Sequence, residues 1–224
     1  FKILFLIKLL MTEYIQFPRY SISLTPSQSF LDDLNIFYEK NNLDYYNLPQ
    51  SVYGNHYSVK APFYMSHLYS EIDLINHFNS LNSIKAKNLL KRTFKVIGLS
   101  EFKKNLILEL ESDQQLNFFV NDLMRSFDRF RKTLDSEDIK KELLRFNQLS
   151  EKELIYYQIW GYPYYFECGK HHIIIVNFNP DLKLINFNPV NYVSLKLLKQ
   201  ESANESFREL AVLIKKKKKF TSNY

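Results

Sequence analysis

Residues 53–63 read YGNHYSVKAPF. Within this stretch Tyr57 and Val59 alternate with three polar residues, His56, Ser58 and Lys60. Alternation with a period of two is typical of a strand that buries one face, and it places the three polar side chains together on the other face. We predict that this strand ends at Pro62, because proline has no N–H to donate to a sheet. A histidine with a hydroxyl two residues later is either a catalytic pair or part of an ordinary half-buried strand.

A second stretch about half a chain away has the same character. Residues 168–178 read CGKHHIIIVNF, and both stretches have a glycine shortly before a histidine and then β-branched residues that end near a phenylalanine. Isoleucine and valine favour strands. The chain is therefore predicted to contain two similar strands, one in each half.

Composition limits the classes of function. The chain has 224 residues, 46% of them hydrophobic, which is enough for a sizeable core. With four glycines and no GxGxxG or GxxxxGK[ST] pattern, a nucleotide site of the Rossmann or P-loop type is not expected. A single cysteine, Cys168, forms no intramolecular disulfide and fits a reducing compartment, so we predict a cytoplasmic protein.

The two ends of the chain carry most of its unusual composition. Five lysines at 215–219 account for five of the six net positive charges, and we predict a basic disordered tail over 215–224. Residues 1–10 are apolar but too short to span a bilayer, and Lys2 and Lys8 interrupt them. We interpret them as an upstream extension before Met11 or a short apolar N-terminus, without stable membrane insertion. A protein that interacts with a membrane surface through its two ends is a weaker alternative.

Helix and strand patterns are interspersed along the chain. Residues 19–24 alternate as a strand, and TPSQ at 25–28 predicts a helix with Thr25 as N-cap and Pro26 in the first turn. Later segments predict a helix that begins after Ser70, a hairpin over 94–99 and 105–111, helices over 114–132, 136–147 and 150–160, and a closing hairpin over 192–198 and 207–214. This mixed order favours an α+β fold.

Several of these stretches together resemble one known family. They are RYSISLTP at 19–26, GNHYSVKAPF at 54–63, WGYPY at 160–164 and HHIIIV at 171–176. The pattern is similar to the two-histidine (2H) phosphoesterase superfamily, whose members carry His-x-Thr/Ser motifs on the central strands of two pseudo-symmetric lobes. It is closest to the uncharacterised branch often encoded beside phosphonate-metabolism genes. The resemblance covers about residues 17–214, and WGYPY is its most specific part.

The resemblance implies a fold and a chemistry. Residues 11–214 would form a single bilobal α+β domain, with an antiparallel sheet and flanking helices in each lobe and a cleft between the lobes. In such a cleft one imidazole deprotonates the attacking water or hydroxyl, and the other protonates the departing oxygen of a phosphodiester. The motif hydroxyl donates a hydrogen bond to a phosphoryl oxygen. This chemistry requires no metal or cofactor, and none is predicted.

The same resemblance implies the site residues. His56 and His172 would be catalytic and Ser58 and Lys60 would bind phosphate, while Tyr162, Tyr164 and His171 would line the cleft. The second motif histidine is ambiguous: counting from WGYPY selects His172, whereas the Gly-x-His pattern selects His171. The hydroxyl position is then Ile174 or Ile173, so the second motif lacks its hydroxyl in both cases.

Two hypotheses about function follow. The first is a weakened 2H-type cyclic phosphodiesterase that hydrolyses a cyclic phosphate or phosphodiester of a nucleotide or ribose phosphate. The second is an inactive homologue that binds a small phosphorylated ligand or an RNA end. Outside this pattern His56, His171 and His172 would be interpreted as structural residues of strands, and His67 in a loop and His77 in a predicted helix match no motif.

Overall fold

A computed structural model describes residues 18–45, 54–81, 83–103, 105–137, 139–140, 149–166, 169–177, 182–202 and 205–214. The strands are β1 (Arg19–Pro26), β2 (Tyr57–Tyr64), β3 (Thr93–Phe94), β4 (Val96–Phe102), β5 (Asn105–Leu110), β6 (His172–Asn177), β7 (Val190–Gln200) and β8 (Arg208–Ile214). The helices are α1 (Gln28–Lys40), α2 (Glu71–Ser80), α3 (Ser83–Leu89), α4 (Gln114–Asp128) and α5 (Glu151–Trp160).

These strands form two antiparallel sheets of unequal size. The five-stranded sheet has the order β2-β1-β7-β3, and β8 also pairs with β7. The three-stranded sheet has the order β4-β5-β6. This arrangement confirms the predicted α+β class with antiparallel sheets.

One large apolar core connects both sheets to the helices. It contains Ile22 and Leu195 from the larger sheet, Leu108 and Ile173 from the smaller sheet, and Phe127 from α4, all buried. Burying an aliphatic or aromatic side chain of this size contributes about 1.5–3 kcal/mol. The shared core therefore fixes the two sheets relative to each other.

Side-chain caps explain where two predicted helices begin. Ser70 accepts a hydrogen bond from the backbone N–H of Asp73, and Ser150 accepts one from Glu153, each within a capping box. The predicted hairpins and the helix that begins at residue 114 are also confirmed. The helix predicted over 136–147 lies largely outside the described residues, as do residues 1–10 and 215–224.

Two local predictions are wrong for reasons of long-range pairing. Thr25 is not a helix cap, because β1 stays paired with β7 as far as Pro26, and the helix begins after Ser27. Pro62 does not end β2, because β2 is an edge strand in which a missing N–H can be tolerated. Among the helices of the described segments, none has the length and apolar character needed to cross a bilayer.

Candidate active site

A large cleft of about 1750 Å³ lies against both sheets. The residue just before β2 and the first residue of β6, His56 and His172, both line it. The two sequence stretches with similar patterns therefore meet at one cleft, each from a different sheet.

His56 is held by two hydrogen bonds within its own motif. Its Nδ1 lies 2.8 Å from the carbonyl oxygen of Gly54, and its Nε2 lies 3.0 Å from the Ser58 hydroxyl. A carbonyl only accepts, so Nδ1 carries the proton and Nε2 of the neutral ring accepts from Ser58. Gly54 has a φ of +74°, a conformation that favours glycine.

His172 repeats the first of these contacts. Its Nδ1 lies 2.7 Å from the carbonyl oxygen of Lys170, which again is two residues earlier in the chain. Nδ1 therefore carries the proton in both neutral rings, and Nε2, which in His56 contacts the Ser58 hydroxyl, is the basic nitrogen. Burial lowers the pKa of His172, the hydrogen bond to the Lys170 carbonyl opposes part of this shift, and the nearby Lys170 ammonium adds to it.

His171 has a different role. Its Nδ1 lies 2.6 Å from the carbonyl oxygen of Glu111 and its Nε2 lies 2.6 Å from the hydroxyl of Tyr192, and the residue is only 6% exposed. Burial lowers its pKa to about 4, so the ring is neutral at ordinary pH. His171 also lies at the cleft, but both of its ring nitrogens are engaged by the protein. Of the two sequence alternatives, His172 is the one that shares the geometry of His56.

The second motif presents a methyl group where the first presents a hydroxyl. Ile174 is 38% exposed and lines the cleft, two residues after His172, as Ser58 is two residues after His56. An isoleucine side chain cannot donate a hydrogen bond to a phosphoryl oxygen. The cleft therefore has a hydroxyl two residues after His56 and an apolar side chain two residues after His172.

Lys60 lies elsewhere, which corrects the prediction that it binds phosphate. It is fully buried, its Nζ lies 3.0 Å from Asp128 Oδ1, and it is absent from the described cleft lining. The register of β1 against β2 shifts on both sides of the Ile22–Lys60 pair, so Lys60 does not keep the alternation with Ser58. Burial lowers the pKa of Lys60 to about 8, although the Asp128 carboxylate opposes the shift.

The aromatic wall of the cleft follows α5. Tyr162 and Tyr164 both line the cleft, and their rings meet edge-on with centroids 5.3 Å apart. Phe102 packs against Tyr164 on one side and against His172 on the other, at 5.4 and 5.2 Å. Phe102 therefore contacts both the WGYPY segment, at Tyr164, and His172.

Sequence reasoning missed two charged residues beside His172. Glu109 pairs in register with His172 across β5 and β6, and its carboxylate lies 2.8 Å from Lys170 Nζ. The Lys170 and Ser100 hydrogen bonds lower the pKa of Glu109. The available signals were the single acidic residue in the apolar run NLILEL and the lysine directly before the histidine pair.

The fold and the cleft define an α+β protein in which two antiparallel sheets each bring one histidine to a common cleft. The model of the family described as "Protein of unknown function (DUF1045)" matches residues 58–180, more than half of the chain, and the chain belongs to this family. A crystal structure of E. coli LigT in apo form is similar at 10% sequence identity and a TM-score of 0.41, covering 89% of this chain and 98% of the LigT chain. No curated protein matches the sequence.

Proposed function

We propose that the protein is a two-histidine phosphoesterase that acts on a cyclic phosphate or phosphodiester of a nucleotide or ribose phosphate. The observation that carries this proposal is the repeated contact at His56 and His172. In both, Nδ1 donates to the carbonyl two residues earlier and the ring lines the same cleft. Two imidazoles held in the same tautomer are suited to the two proton transfers of phosphodiester cleavage.

The surroundings of the two histidines suggest which one acts as the base and which as the acid. The lowered pKa of His172 favours its neutral form, so we assign it as the base that takes the proton of the attacking water or hydroxyl. The oxygen of that nucleophile attacks phosphorus, the bond to the leaving oxygen breaks, and protonated His56 gives its Nε2 proton to that oxygen. A protonated His56 cannot accept from Ser58, which frees the Ser58 hydroxyl to donate to a phosphoryl oxygen.

Charge and size of the cleft support a nucleotide-sized anion. Its described lining includes six basic residues and three acidic ones: Arg19, Lys103, Arg125, Arg131, Lys132 and Lys170, against Glu101, Glu109 and Glu111. The volume of about 1750 Å³ is well above that of a phosphate group alone. The rings of Trp160, Tyr162 and Tyr164 offer surfaces on which a base or sugar can stack.

Ile174 favours a second candidate function, binding without turnover. Removing one donor to a developing oxyanion commonly costs about 2.7–4 kcal/mol in the transition state, roughly a hundred- to a thousandfold in rate. A protein with Ile174 in place of the hydroxyl would bind a phosphorylated ligand or RNA end while hydrolysing it slowly or not at all.

Hydrolysis by the purified full chain tests the proposal. The substrate panel contains a nucleoside 2′,3′-cyclic phosphate and a ribose 1,2-cyclic phosphate, the latter chosen because of the phosphonate-associated branch. We expect slow turnover that falls at least a hundredfold in His56→Ala and in His172→Ala. His67→Ala is the matched control, because His67 is exposed and is not among the described cleft-lining residues.

The variant Ile174→Thr separates the two candidate functions. A rise in an existing rate supports a weakened enzyme, whereas activity that appears only in this variant supports the binding protein. Turnover by the native chain that survives both histidine substitutions would contradict the two-histidine mechanism.

A further inference from the structure

The ion pair between Glu109 and Lys170 lies on the cleft wall beside His172. Lys170 Nζ is 2.8 Å from Glu109 Oε2, and the Ser100 hydroxyl donates to the same carboxylate oxygen at 2.8 Å. Glu109 is the register partner of His172, and the carbonyl of Lys170 accepts from the His172 ring. Both charged side chains are therefore fixed to the same short piece of sheet as the second histidine.

Stability gains little from this ion pair. The two side chains are 37% and 28% exposed, and an exposed pair of this kind contributes about 0–1 kcal/mol. A pair of nearly the same length and exposure, Lys196 with Glu209 at 3.0 Å, lies on β7 and β8. The Lys196 pair is not part of the described cleft lining, whereas both members of the Lys170 pair are.

The chemistry of Lys170 matches what the second motif lacks. An ammonium has three N–H donors, and the bond to Glu109 uses one of them. Phosphoryl oxygens are good acceptors for lysine, and a charge-assisted hydrogen bond is stronger than one from a neutral hydroxyl. Glu109, held by Ser100, restricts where the long lysine side chain can point.

We propose that Lys170, positioned by Glu109, binds a phosphoryl oxygen in the second half of the site and replaces the hydroxyl that Ile174 has displaced. This inference rests on the proposed function, since it names a ligand of the same phosphate. The two sides of the site then differ in chemistry. Beside His56 the phosphate would contact the neutral hydroxyl of Ser58, and beside His172 it would contact the ammonium of Lys170.

Binding of adenosine 2′-monophosphate to the full chain, measured by calorimetry, tests the role of Lys170 separately from turnover. We expect the dissociation constant to rise about tenfold or more in Lys170→Met, which keeps all but one atom of the side-chain length and removes the charge. Lys196→Met is the matched control and should bind like the native protein. Equal thermal unfolding of the two variants shows that both are folded.

The double variant Lys170→Met with Ile174→Thr is a second binding test of the inference. The threonine hydroxyl at position 174 should recover part of the affinity lost in Lys170→Met. No recovery would overturn the claim that Lys170 replaces the hydroxyl missing at position 174. Native affinity in Lys170→Met, or an equal loss in Lys196→Met, would overturn the inference and leave the proposed function standing. Failure of the native protein to bind adenosine 2′-monophosphate would overturn the inference, and failure to hydrolyse every substrate of the panel as well would overturn the proposed function too.

Discussion

At the scale of single residues, His171 connects the two sheets beside the cleft. It precedes β6 in the smaller sheet, and its Nε2 accepts from the hydroxyl of Tyr192 in the larger one. Its ring also meets Tyr57 edge-on with centroids 4.6 Å apart. Tyr57 follows His56 and His171 precedes His172, so this contact helps to set the separation of the two catalytic candidates.

The buried His171 predicts a pH dependence of stability. Its pKa is about 4 in the folded protein and near 6.5 when unfolded, so the unfolded chain binds a proton first as the pH falls. The contribution of His171 is fully present above pH 6.5 and is lost as the pH falls toward 4, by about 2 kcal/mol between pH 6.5 and 5.

Denaturant unfolding of the native chain and of His171→Gln over this pH range measures the effect. Glutamine does not titrate, so the free energy of unfolding of the variant should fall less steeply with decreasing pH. His172, whose pKa is also lowered, changes with the same sign in both proteins and cancels in the comparison. Identical pH slopes would show that His171 is not buried in its neutral form.

Residue-scale prediction from sequence succeeded where local contacts decide. The contact of His56 with Ser58 joins side chains two positions apart at the start of β2, and the alternation of the sequence already places these side chains on the same side. The prediction that Lys60 shares the polar face with Ser58 failed, because the register shifts between β1 and β2 depend on residues about 40 positions apart. The choice between His171 and His172 required the hydrogen bonds to Glu111, Tyr192 and Lys170, which no local pattern contains.

At the scale of elements, Gly161 joins α5 to the aromatic wall of the cleft. It ends α5 in the left-handed conformation with a φ of +73°, and a Cβ there would lie 2.8 Å from Cδ of Arg131. Arg131 in turn donates to the carbonyl oxygen of Ile159 at 2.6 Å and pairs with Asp128 at 2.9 Å. A side chain at Gly161 would therefore strain the backbone and displace an arginine that binds the end of α5.

We expect Gly161→Ala to lower the free energy of unfolding by about 1–2 kcal/mol from the backbone alone, with a further loss from the contact with Arg131. Gly98→Ala is the matched control, because its added Cβ meets no atom within 4 Å and its φ is not in the left-handed region. Denaturant unfolding of both variants measures the difference. Equal stability of the two would contradict the account of how α5 ends.

Elements were predictable where a local signal and the tertiary structure agree. Ser70 and Ser150 begin helices because their hydroxyls cap the backbone within three residues. The TPSQ signal failed, because pairing of Thr25 with Ser194 and of Pro26 with Tyr192 keeps the chain extended. The sheet order and the unequal sizes of the two sheets depend on contacts far apart in sequence, so the pattern of strands alone could not supply them.

At the scale of the whole molecule, the site exists only because the two sheets share a core. One sheet supplies His56 and Ser58, the other supplies His172, Lys170 and Glu109, and the cleft lies against both. In the proposed function, neither sheet alone would supply both the acid and the base. The proposed mechanism therefore requires one phosphate to contact both imidazoles at once.

Nuclear magnetic resonance of the histidine rings tests this requirement. Adenosine 2′-monophosphate is titrated into the full chain, and the signals are assigned with His56→Ala, His172→Ala and His67→Ala. We predict that His56 and His172 shift together with one dissociation constant, while His67 does not shift. Substitution of either site histidine should also weaken the response of the other. A response of only one of the two rings, or two unrelated dissociation constants, would contradict a common phosphate site.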